Sequence, residues 1–172
     1  KNVIIEYYKG SKEFKNLKII DTGESTMTGG RILRLKSFFE KDENFFMTYG
    51  DGLCSINLND LTNFHKKNGK IATVTAVHPP VRFGELEIQG DKVTKFEEKP
   101  QASAGWINGG YFVLKSDVFD YIDNDQTLFE KEPMTRLYQK NNLNAYKHEG
   151  FWKCMDTLRD KNYLNKICRN RK

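Results

Sequence analysis

The segment Thr48-Tyr49-Gly50-Asp51-Gly52 places a carboxylate between two glycines, directly after an apolar run that covers residues 44–49. Such a run is typical of a strand buried on both faces, and ligands of α/β sheets bind at the carboxyl ends of strands. The glycines allow a sharp turn and a close approach of a ligand to the backbone. A carboxylate at this point can bind Mg²⁺ together with phosphate oxygens. Gly-Asp-Gly is also ordinary turn composition, so a simple turn remains an alternative.

A second carboxylate, Asp156, precedes a predicted helix in the segment Met155-Asp156-Thr157. An acidic residue at this point can simply stabilise the N-terminus of the helix. Considered together with Asp51, it is a candidate second ligand for the same Mg²⁺ from a distant part of the chain.

Three further segments contain groups that can bind phosphate or a sugar. Lys99, in Glu98-Lys99-Pro100, can act as a point charge for phosphate, although a Glu-Lys pair is more often a solvated strand edge. Asn108-Gly109-Gly110 offers an amide that donates and accepts hydrogen bonds, or is merely a loop. The glycine-rich residues 22–31 can form a nest of backbone amides for an anion, with Arg31 at the start of a helix.

Alternating patterns of strands and helices must position these groups. Residues 44–49 and 71–77 are predicted strands, and between them lies a helix that begins at Asn57 or Asn59 and ends at Gly69. This strand-helix-strand order indicates a βαβ unit and a parallel sheet. Gly90-Asp91 predicts a hairpin between residues 85–89 and 92–98. The other predicted strands are residues 3–8, 17–21, 111–114 and 144–147, and the other predicted helices begin near Thr28, Ser116, Leu128 and Leu158.

Composition excludes several classes of protein. The 172 residues are 38% hydrophobic and form a single predicted domain, residues 1–172, without an apolar run of the ~18 residues that a membrane helix needs. The net charge is +5, but Lys and Arg alternate with acids, which favours small anionic partners over nucleic acid. Three cysteines without a CxxC pair indicate neither a disulfide framework nor a zinc site, and a reducing cytoplasm is expected. The chain starts without Met or a signal peptide, so we expect a piece of a longer protein.

Together these segments resemble the sugar nucleotidyltransferases, and within that family its glucose-1-phosphate cytidylyltransferase branch. The matching stretches follow the family order from about residue 19 to residue 164. They are Asp21-Thr22-Gly23, Ser25-Thr26-Met27-Thr28-Gly29-Gly30-Arg31, Thr48-Tyr49-Gly50-Asp51-Gly52, Arg82-Phe83-Gly84, Phe96-Glu97-Glu98-Lys99-Pro100, and residues 107–114 and 155–161. The Ser-Thr-Met-Thr-Gly-Gly-Arg run is the one that indicates the cytidylyl branch.

The resemblance implies a Rossmann-like, GT-A-like three-layer α/β fold with a mixed, mainly parallel sheet that is incomplete at the N-terminus. It implies transfer from CTP to α-D-glucose 1-phosphate to give CDP-glucose and pyrophosphate, as part of 3,6-dideoxyhexose supply for a surface polysaccharide. Asp51 and Asp156 are then the Mg²⁺ ligands and, with Lys99, the catalytic residues. Glu98, Asn108 and Gly109 contact the sugar, and Thr26, Arg31 and Gly50 contact the nucleotide. The full-length form is expected to be a homo-oligomer, without nucleic-acid or membrane partners.

The family's opening strand and its Gly-Gly-x-Gly-Thr-Arg-Leu phosphate loop are not found in this sequence. We therefore expect the 172 residues by themselves to be inactive. Two alternatives stay open. One is a thymidylyl- or uridylyltransferase that acts on a sugar 1-phosphate, and the other is a non-catalytic domain that binds a sugar nucleotide.

Overall fold

The computed structural model describes residues 2–9, 16–79, 84–97 and 105–169. At its centre lies a four-stranded mixed sheet with the strand order β1-β6-β3-β7. These strands are β1 (Asn44–Thr48), β3 (Ala72–Val77), β6 (Ile107–Lys115) and β7 (Leu143–Lys147). Strand β6 is antiparallel to both of its neighbours, and β3 is parallel to β7. The carboxyl ends of β1, β3 and β7 and the start of β6 therefore share one edge of the sheet.

The predicted unit of strand, helix and strand is present in a modified form. Helix α3 (Leu58–Asn68) lies between β1 and β3 along the chain. It is capped by Asn57, which accepts hydrogen bonds from Asn59 N and Asp60 N, and by Gly69 with a φ of 64°. The two strands run in the same direction, but β6 is inserted between them, so two of the three pairings in this sheet are antiparallel. The parallel sheet expected from this unit was therefore wrong in part, because β6 lies between β1 and β3 and is antiparallel to both.

The largest hydrophobic cluster lies on one face of this sheet, and α3 covers buried residues on the other face. Its fully buried side chains include Phe112, Leu114, Val118, Phe129 and Leu137. Helix α4 (Glu132–Gln139), with Pro133 in its first turn, packs there and is shorter than the predicted stretch from Leu128 to Lys140. The short helix predicted from Ser116 is a 3₁₀ helix (Ser116–Tyr121). The other elements near the sheet are α2 (Thr28–Leu33), a 3₁₀ turn at Lys36–Phe38 and α5 (Leu158–Arg169).

A buried histidine joins α3 to the sheet. His65 Nε2 lies 3.1 Å from Asn44 Oδ1 and His65 Nδ1 lies 2.9 Å from Thr73 Oγ1. Because Asn44 Oδ1 can only accept, Nε2 carries the proton and Nδ1 accepts from the threonine hydroxyl. Burial, assisted by the charge of Lys115, lowers the pKa of His65. This histidine is therefore a structural residue of the core rather than a ligand.

Two predicted strands near the start of the chain were wrong. Residues 3–8 form a helix, α1 (Asn2–Tyr8), whose side chains are largely exposed, and residues 17–21 form no regular element. β-prone residues form a strand only when a neighbouring strand supplies hydrogen bonds, and no described strand pairs with either segment. The view that residues 44–49 are buried on both faces was also wrong for the residues described. Among these, β1 is an edge strand of the central sheet and its alternate side chains are exposed, Phe46 by 52%.

Two small antiparallel sheets complete the described structure. The predicted hairpin is confirmed, with β4 (Glu85–Gln89) and β5 (Lys92–Glu97) joined by a turn in which Gly90 has a φ of 61°. The other sheet pairs β2 (Gly52–Cys54) with β8 (Trp152–Cys154), and neither of these strands was predicted. Among the helices described, none is both long and apolar enough to span a bilayer.

Candidate active site

The β2–β8 pairing brings together the backbone segments that carry the two candidate metal ligands. Gly52 lies opposite Cys154, and a hydrogen bond of 2.8 Å from Met155 N to Asp51 O extends the ladder by one residue. Asp51 and Asp156 are far apart in sequence, yet they lie on adjacent backbone segments just beyond the carboxyl end of β1. The spacing of carboxylates in the sequence alone could not reveal this, because each of the two strands has only three residues.

Side chains from β6 and β8 tie this small sheet to the central one. The Tyr111 hydroxyl donates to Gly52 O at 2.8 Å, and Trp152 Nε1 donates to Gly109 O at 2.7 Å. The buried indole therefore places the Asn108-Gly109 segment next to β8, the strand that ends two residues before Asp156. Two of the predicted sugar-binding residues thus share one edge of the sheet with both carboxylates.

The Cys154 thiol orients the Asp156 carboxylate. Its sulfur lies 3.2 Å from Asp156 Oδ2, and burial together with this carboxylate raises the pKa of the thiol. The thiol therefore keeps its proton and can donate it to the carboxylate. A protonated, partly buried cysteine is a poor nucleophile and a poor metal ligand, so its contribution here is positioning.

The N-terminal cap of α5 holds the residue that directly follows Asp156. Thr157 N and the Thr157 hydroxyl donate to Asp160 Oδ2 at 3.1 and 2.7 Å, and Asp160 N donates back to the hydroxyl at 3.2 Å. This is a capping box at the residue that follows Asp156. Lys153 Nζ lies 2.6 Å from Asp160 Oδ1, so that Asp160 connects β8 to the start of α5.

We expect Asp160→Asn to lower the thermal stability at neutral pH. The bonds to Lys153 and Thr157 hold the pKa of Asp160 at about 2, below the value of about 3.9 in an unfolded chain. Their contribution to the free energy of unfolding is therefore complete above about pH 4 and is lost as the pH falls toward 2. Melting temperatures measured from pH 7 to pH 2 should show a difference between wild type and variant that disappears over that interval. The control is Asp91→Asn in the exposed β4–β5 turn, and an equal pH dependence in both variants would contradict the assignment.

Gly50 and Gly52 are not required by the fold. Neither has a positive φ, and a Cβ atom added at Gly50 would meet no atom within 4 Å. The turn expected here is present at residues 50–51, but its backbone angles do not require glycine. The open space beside Gly50 instead leaves room for a ligand to approach the backbone next to Asp51.

The next pair of glycines, in contrast, is required by packing. A Cβ atom at Gly109 would lie 3.0 Å from Thr75 O and 2.9 Å from the Val77 side chain. Gly110 has a φ of 75°, and its Cβ atom would lie 2.6 Å from the ring of Tyr49. Asn108-Gly109-Gly110 is therefore the start of β6, where close contacts with β3 and Tyr49 exclude side chains, and it is not a simple loop.

The glycine-rich segment 22–31 packs against the loop that precedes α4. Met27 N donates to Asp125 O at 2.8 Å and Gly29 N donates to Thr127 O at 2.9 Å. These two amides are consequently not free for an anion, which corrects the expectation of a nest at this point. A Cβ atom at Gly30 would lie only 2.5 Å from Asp125 Cα, so this glycine permits the close contact.

The three predicted nucleotide-side residues differ in their surroundings. Arg31 is exposed and donates to Thr22 Oγ1 at 2.7 Å and to Glu24 O at 3.2 Å, so it braces its own segment. Thr26 is buried, with its hydroxyl close to Gly23. Gly50 lies on β1's side of the site, next to Asp51. Glu98 and Lys99 lie outside the described residues.

A hydrogen-bonded chain that sequence reasoning missed connects these segments. Glu130 accepts from the Tyr49 hydroxyl at 2.7 Å and from the Thr28 hydroxyl at 2.6 Å, and Asn108 Nδ2 donates to Tyr49 Oη at 3.3 Å. Burial and the neighbouring Glu130 carboxylate raise the pKa of Tyr49, so the phenol stays protonated. No local pattern singles out Glu130, because its partners come from distant segments.

The donor set is consistent with Mg²⁺ and with other cations that prefer oxygen ligands, such as Ca²⁺ and Mn²⁺. Among the described residues, no group of three or more His, Cys, Asp or Glu side chains is arranged to hold a metal ion. Asp51 and Asp156 can supply two carboxylates, and Mg²⁺ commonly takes one or two of these together with substrate phosphates. A zinc or iron site would need additional nitrogen or sulfur ligands.

This fold and site define a class of protein that comparison with known families identifies. The chain belongs to the nucleotidyl transferase family, whose model matches residues 2–160. Over 149 residues it is 50% identical to glucose-1-phosphate cytidylyltransferase of Salmonella typhi, an alignment that covers 87% of this chain and 58% of the relative. It is 33% identical to mannose-1-phosphate guanyltransferase of Yarrowia lipolytica, covering 96% of this chain and 47% of the relative.

Solved structures of low sequence identity share the fold. HddC from Yersinia pseudotuberculosis, complexed with GMP-PN, superposes with a TM-score of 0.69 at 20% identity and covers 99% of this chain and 74% of that chain. UDP-glucose pyrophosphorylase complexed with UDP-glucose superposes with a TM-score of 0.66 at 13% identity and covers 100% and 74%. The Rossmann-like nucleotidyltransferase fold expected from the sequence is thus confirmed.

Proposed function

We propose that the full-length protein, meaning this chain with any sequence that precedes or follows it, transfers a cytidylyl group from CTP to α-D-glucose 1-phosphate. The observation that carries the proposal is the β2–β8 pairing. In this pairing Met155 N donates to Asp51 O, and Trp152 Nε1 of β8 donates to Gly109 O. The 50% identity to a glucose-1-phosphate cytidylyltransferase supports the choice of substrates.

The proposed reaction needs charge neutralisation more than proton transfer. An oxygen of the sugar phosphate attacks the α-phosphorus of CTP, the bond to the β-phosphate oxygen breaks, and CDP-glucose and pyrophosphate are formed. The attacking oxygen is already an anion near pH 7, so no general base is required. The barrier is lowered by alignment of the two anions and by neutralisation of their charge, as in other transfers at phosphorus.

Each residue then has a proposed role. Asp51 and Asp156 would hold one Mg²⁺, which when bound neutralises phosphate charge. Asn108 and Gly109, together with Glu98, contact sugar hydroxyls, and Lys99 neutralises the sugar phosphate. On the nucleotide side, Gly50 leaves room beside the backbone, Arg31 braces the glycine-rich segment, and the buried Thr26 shapes it.

The base of the nucleotide substrate is the part of the proposal for which the comparisons offer alternatives. The relatives include a guanyltransferase, and the structural neighbours include a protein complexed with UDP-glucose. A turnover screen of the full-length protein with CTP, UTP, dTTP, GTP and ATP, each with glucose 1-phosphate, tests the proposal. We expect pyrophosphate release with CTP above all others. A preference for UTP or dTTP would move the assignment to a uridylyl- or thymidylyltransferase, and release with none would favour a binding domain without catalysis. The 172 residues alone, tested in parallel, are expected to be inactive.

We expect Lys99→Ala in the full-length protein to raise the KM for glucose 1-phosphate. A charge-assisted contact to phosphate is worth about 1.5–3 kcal/mol, which corresponds to roughly 10- to 150-fold. The KM for CTP should change little, because the lysine is assigned to the sugar phosphate. Steady-state kinetics with each substrate varied in turn measure both constants, and Lys92→Ala in the exposed hairpin is the matched control. A rise confined to the KM for CTP would show that Lys99 serves the nucleotide instead.

A further inference from the structure

The bonds around Tyr49 form a chain with a defined direction. Gly110 N donates to Asn108 Oδ1 at 2.8 Å, and Asn108 Nδ2 donates to Tyr49 Oη at 3.3 Å. The Tyr49 hydroxyl donates onward to Glu130 Oε1 at 2.7 Å. Since the carboxylate can only accept, the phenol proton must point toward Glu130, and its oxygen is left to accept from Asn108. The order of donors and acceptors is therefore fixed at its two ends, by the Gly110 N–H and by the Glu130 carboxylate.

This order determines the orientation of the Asn108 side chain. An amide can exchange the positions of its oxygen and nitrogen by rotation about its last torsion, and only its partners decide between the two. Here the Gly110 N–H requires the oxygen on one side and Tyr49 Oη requires the nitrogen on the other. One N–H and one lone pair of Asn108 remain for a substrate.

The backbone around Tyr49 keeps the tyrosine itself in place. Tyr49 N donates to Gly110 O at 3.0 Å, and the Tyr49 ring lies against the Cα of Gly110, where a Cβ atom would approach it to 2.6 Å. The ring also packs edge-on against Phe112, with ring centroids 5.9 Å apart. The chain of bonds therefore rests on a fixed ring, and Tyr49 is two residues from Asp51.

The same carboxylate reaches the glycine-rich segment. Glu130 Oε2 accepts from the Thr28 hydroxyl at 2.6 Å, and the Thr28 oxygen accepts from Phe129 N at 2.9 Å. Both oxygens of Glu130 are thus occupied, one on the side of the sugar and one on the side of the nucleotide.

We propose that Tyr49 and Glu130 are positioning residues that hold the Asn108 amide in the orientation that binds a sugar hydroxyl. This rests on the proposed function, in which Asn108 contacts the sugar. In this proposal both residues act through Asn108 and do not contact the substrate themselves. Glu130 directs the tyrosine proton, and the tyrosine oxygen then fixes the nitrogen side of the amide.

The test is a double-mutant cycle in the full-length protein. Tyr49→Phe should raise the KM for glucose 1-phosphate about tenfold, the effect of one lost hydrogen bond, with little change in kcat or in the KM for CTP. The same substitution in an Asn108→Ala background should have almost no further effect on that KM, because the amide it orients is gone. Glu130→Gln, which can accept only one of the two hydroxyl protons, should give an intermediate rise.

Tyr121→Phe is the matched control. It also removes a largely buried tyrosine hydroxyl that accepts from an asparagine amide, Asn142 Nδ2 at 3.1 Å, but it lies away from the site. It should leave the KM for glucose 1-phosphate unchanged. An equal rise in the KM for Tyr121→Phe, or independent effects of Tyr49→Phe and Asn108→Ala, would overturn the proposal and assign Tyr49 a general structural role.

A second measurement does not depend on activity. Hydrogen exchange of the Gly110 amide, which is bonded to Asn108 Oδ1, should become several-fold faster in Tyr49→Phe than in wild type or in Tyr121→Phe. Unchanged exchange would overturn the positioning role even if the enzyme is active. Faster exchange in a protein that turns over no sugar phosphate would leave the bond chain supported and would instead reject the proposed function.

Discussion

Asp51→Asn and Asp156→Asn are each expected to lower kcat in the full-length protein at least about a hundredfold, the usual scale for loss of a group that stabilises transition-state charge. Asparagine keeps the size of the side chain and an oxygen that can accept from the Cys154 thiol, but it removes the negative charge that attracts Mg²⁺. The fold should be retained, since the bond from Met155 N to Asp51 O involves only the backbone.

The double variant should cost little more than either single one. Two groups that hold one ion act as a unit, so loss of the first already removes most of what the second contributes. Initial rates over a range of Mg²⁺ concentrations measure this, and each variant should need more Mg²⁺ than wild type. Asp91→Asn, in the exposed turn between β4 and β5, is the control. Multiplicative losses in the double variant would mean that the two carboxylates act independently and would contradict a shared ion.

Gly30→Ala and Gly50→Ala are expected to separate folding from function. A Cβ atom at Gly30 would lie 2.5 Å from Asp125 Cα and 2.6 Å from Asp125 O. Both are backbone atoms, so the α2 segment or the loop must shift, at a cost of about 1–3 kcal/mol in the free energy of unfolding. At Gly50 the same atom meets nothing within 4 Å, so the stability should be unchanged.

At Gly50 we expect the substitution to change activity rather than stability. If a ligand approaches the backbone beside Asp51, the added methyl group occupies part of its space, and Gly50→Ala should raise a substrate KM without moving the urea midpoint. Urea unfolding and steady-state kinetics of both variants test this. Gly90 is not used as a control glycine, because its positive φ would strain an alanine there. A stable, fully active Gly50→Ala protein would show that no ligand comes close to this glycine.

Local chemistry made several elements predictable from the sequence. Asn57 and Gly69 cap α3 through bonds that lie within a few residues, and Gly90 sets the turn between β4 and β5. The β-branched run of β3 was likewise recognisable as a strand, because its side chains point alternately to the two faces of the sheet and are buried on both. The order of the motifs was also sufficient to identify the family, since the matching segments retain their chemistry and their separation in the sequence.

Only the tertiary structure decided how the site is assembled. Strands β2 and β8 have three residues each, too few for a pattern, and they exist because the two segments supply hydrogen bonds to one another. The insertion of β6 between β1 and β3, the crowding that requires Gly30 and Gly109, and the bonds of Glu130 are likewise contacts between distant segments. Residues 3–8 show the converse. In the described part of the chain no strand pairs with this β-prone segment, and it closes its hydrogen bonds within a helix. Sequence identifies which side chains can do the chemistry, whereas long-range backbone pairing determines which of them meet.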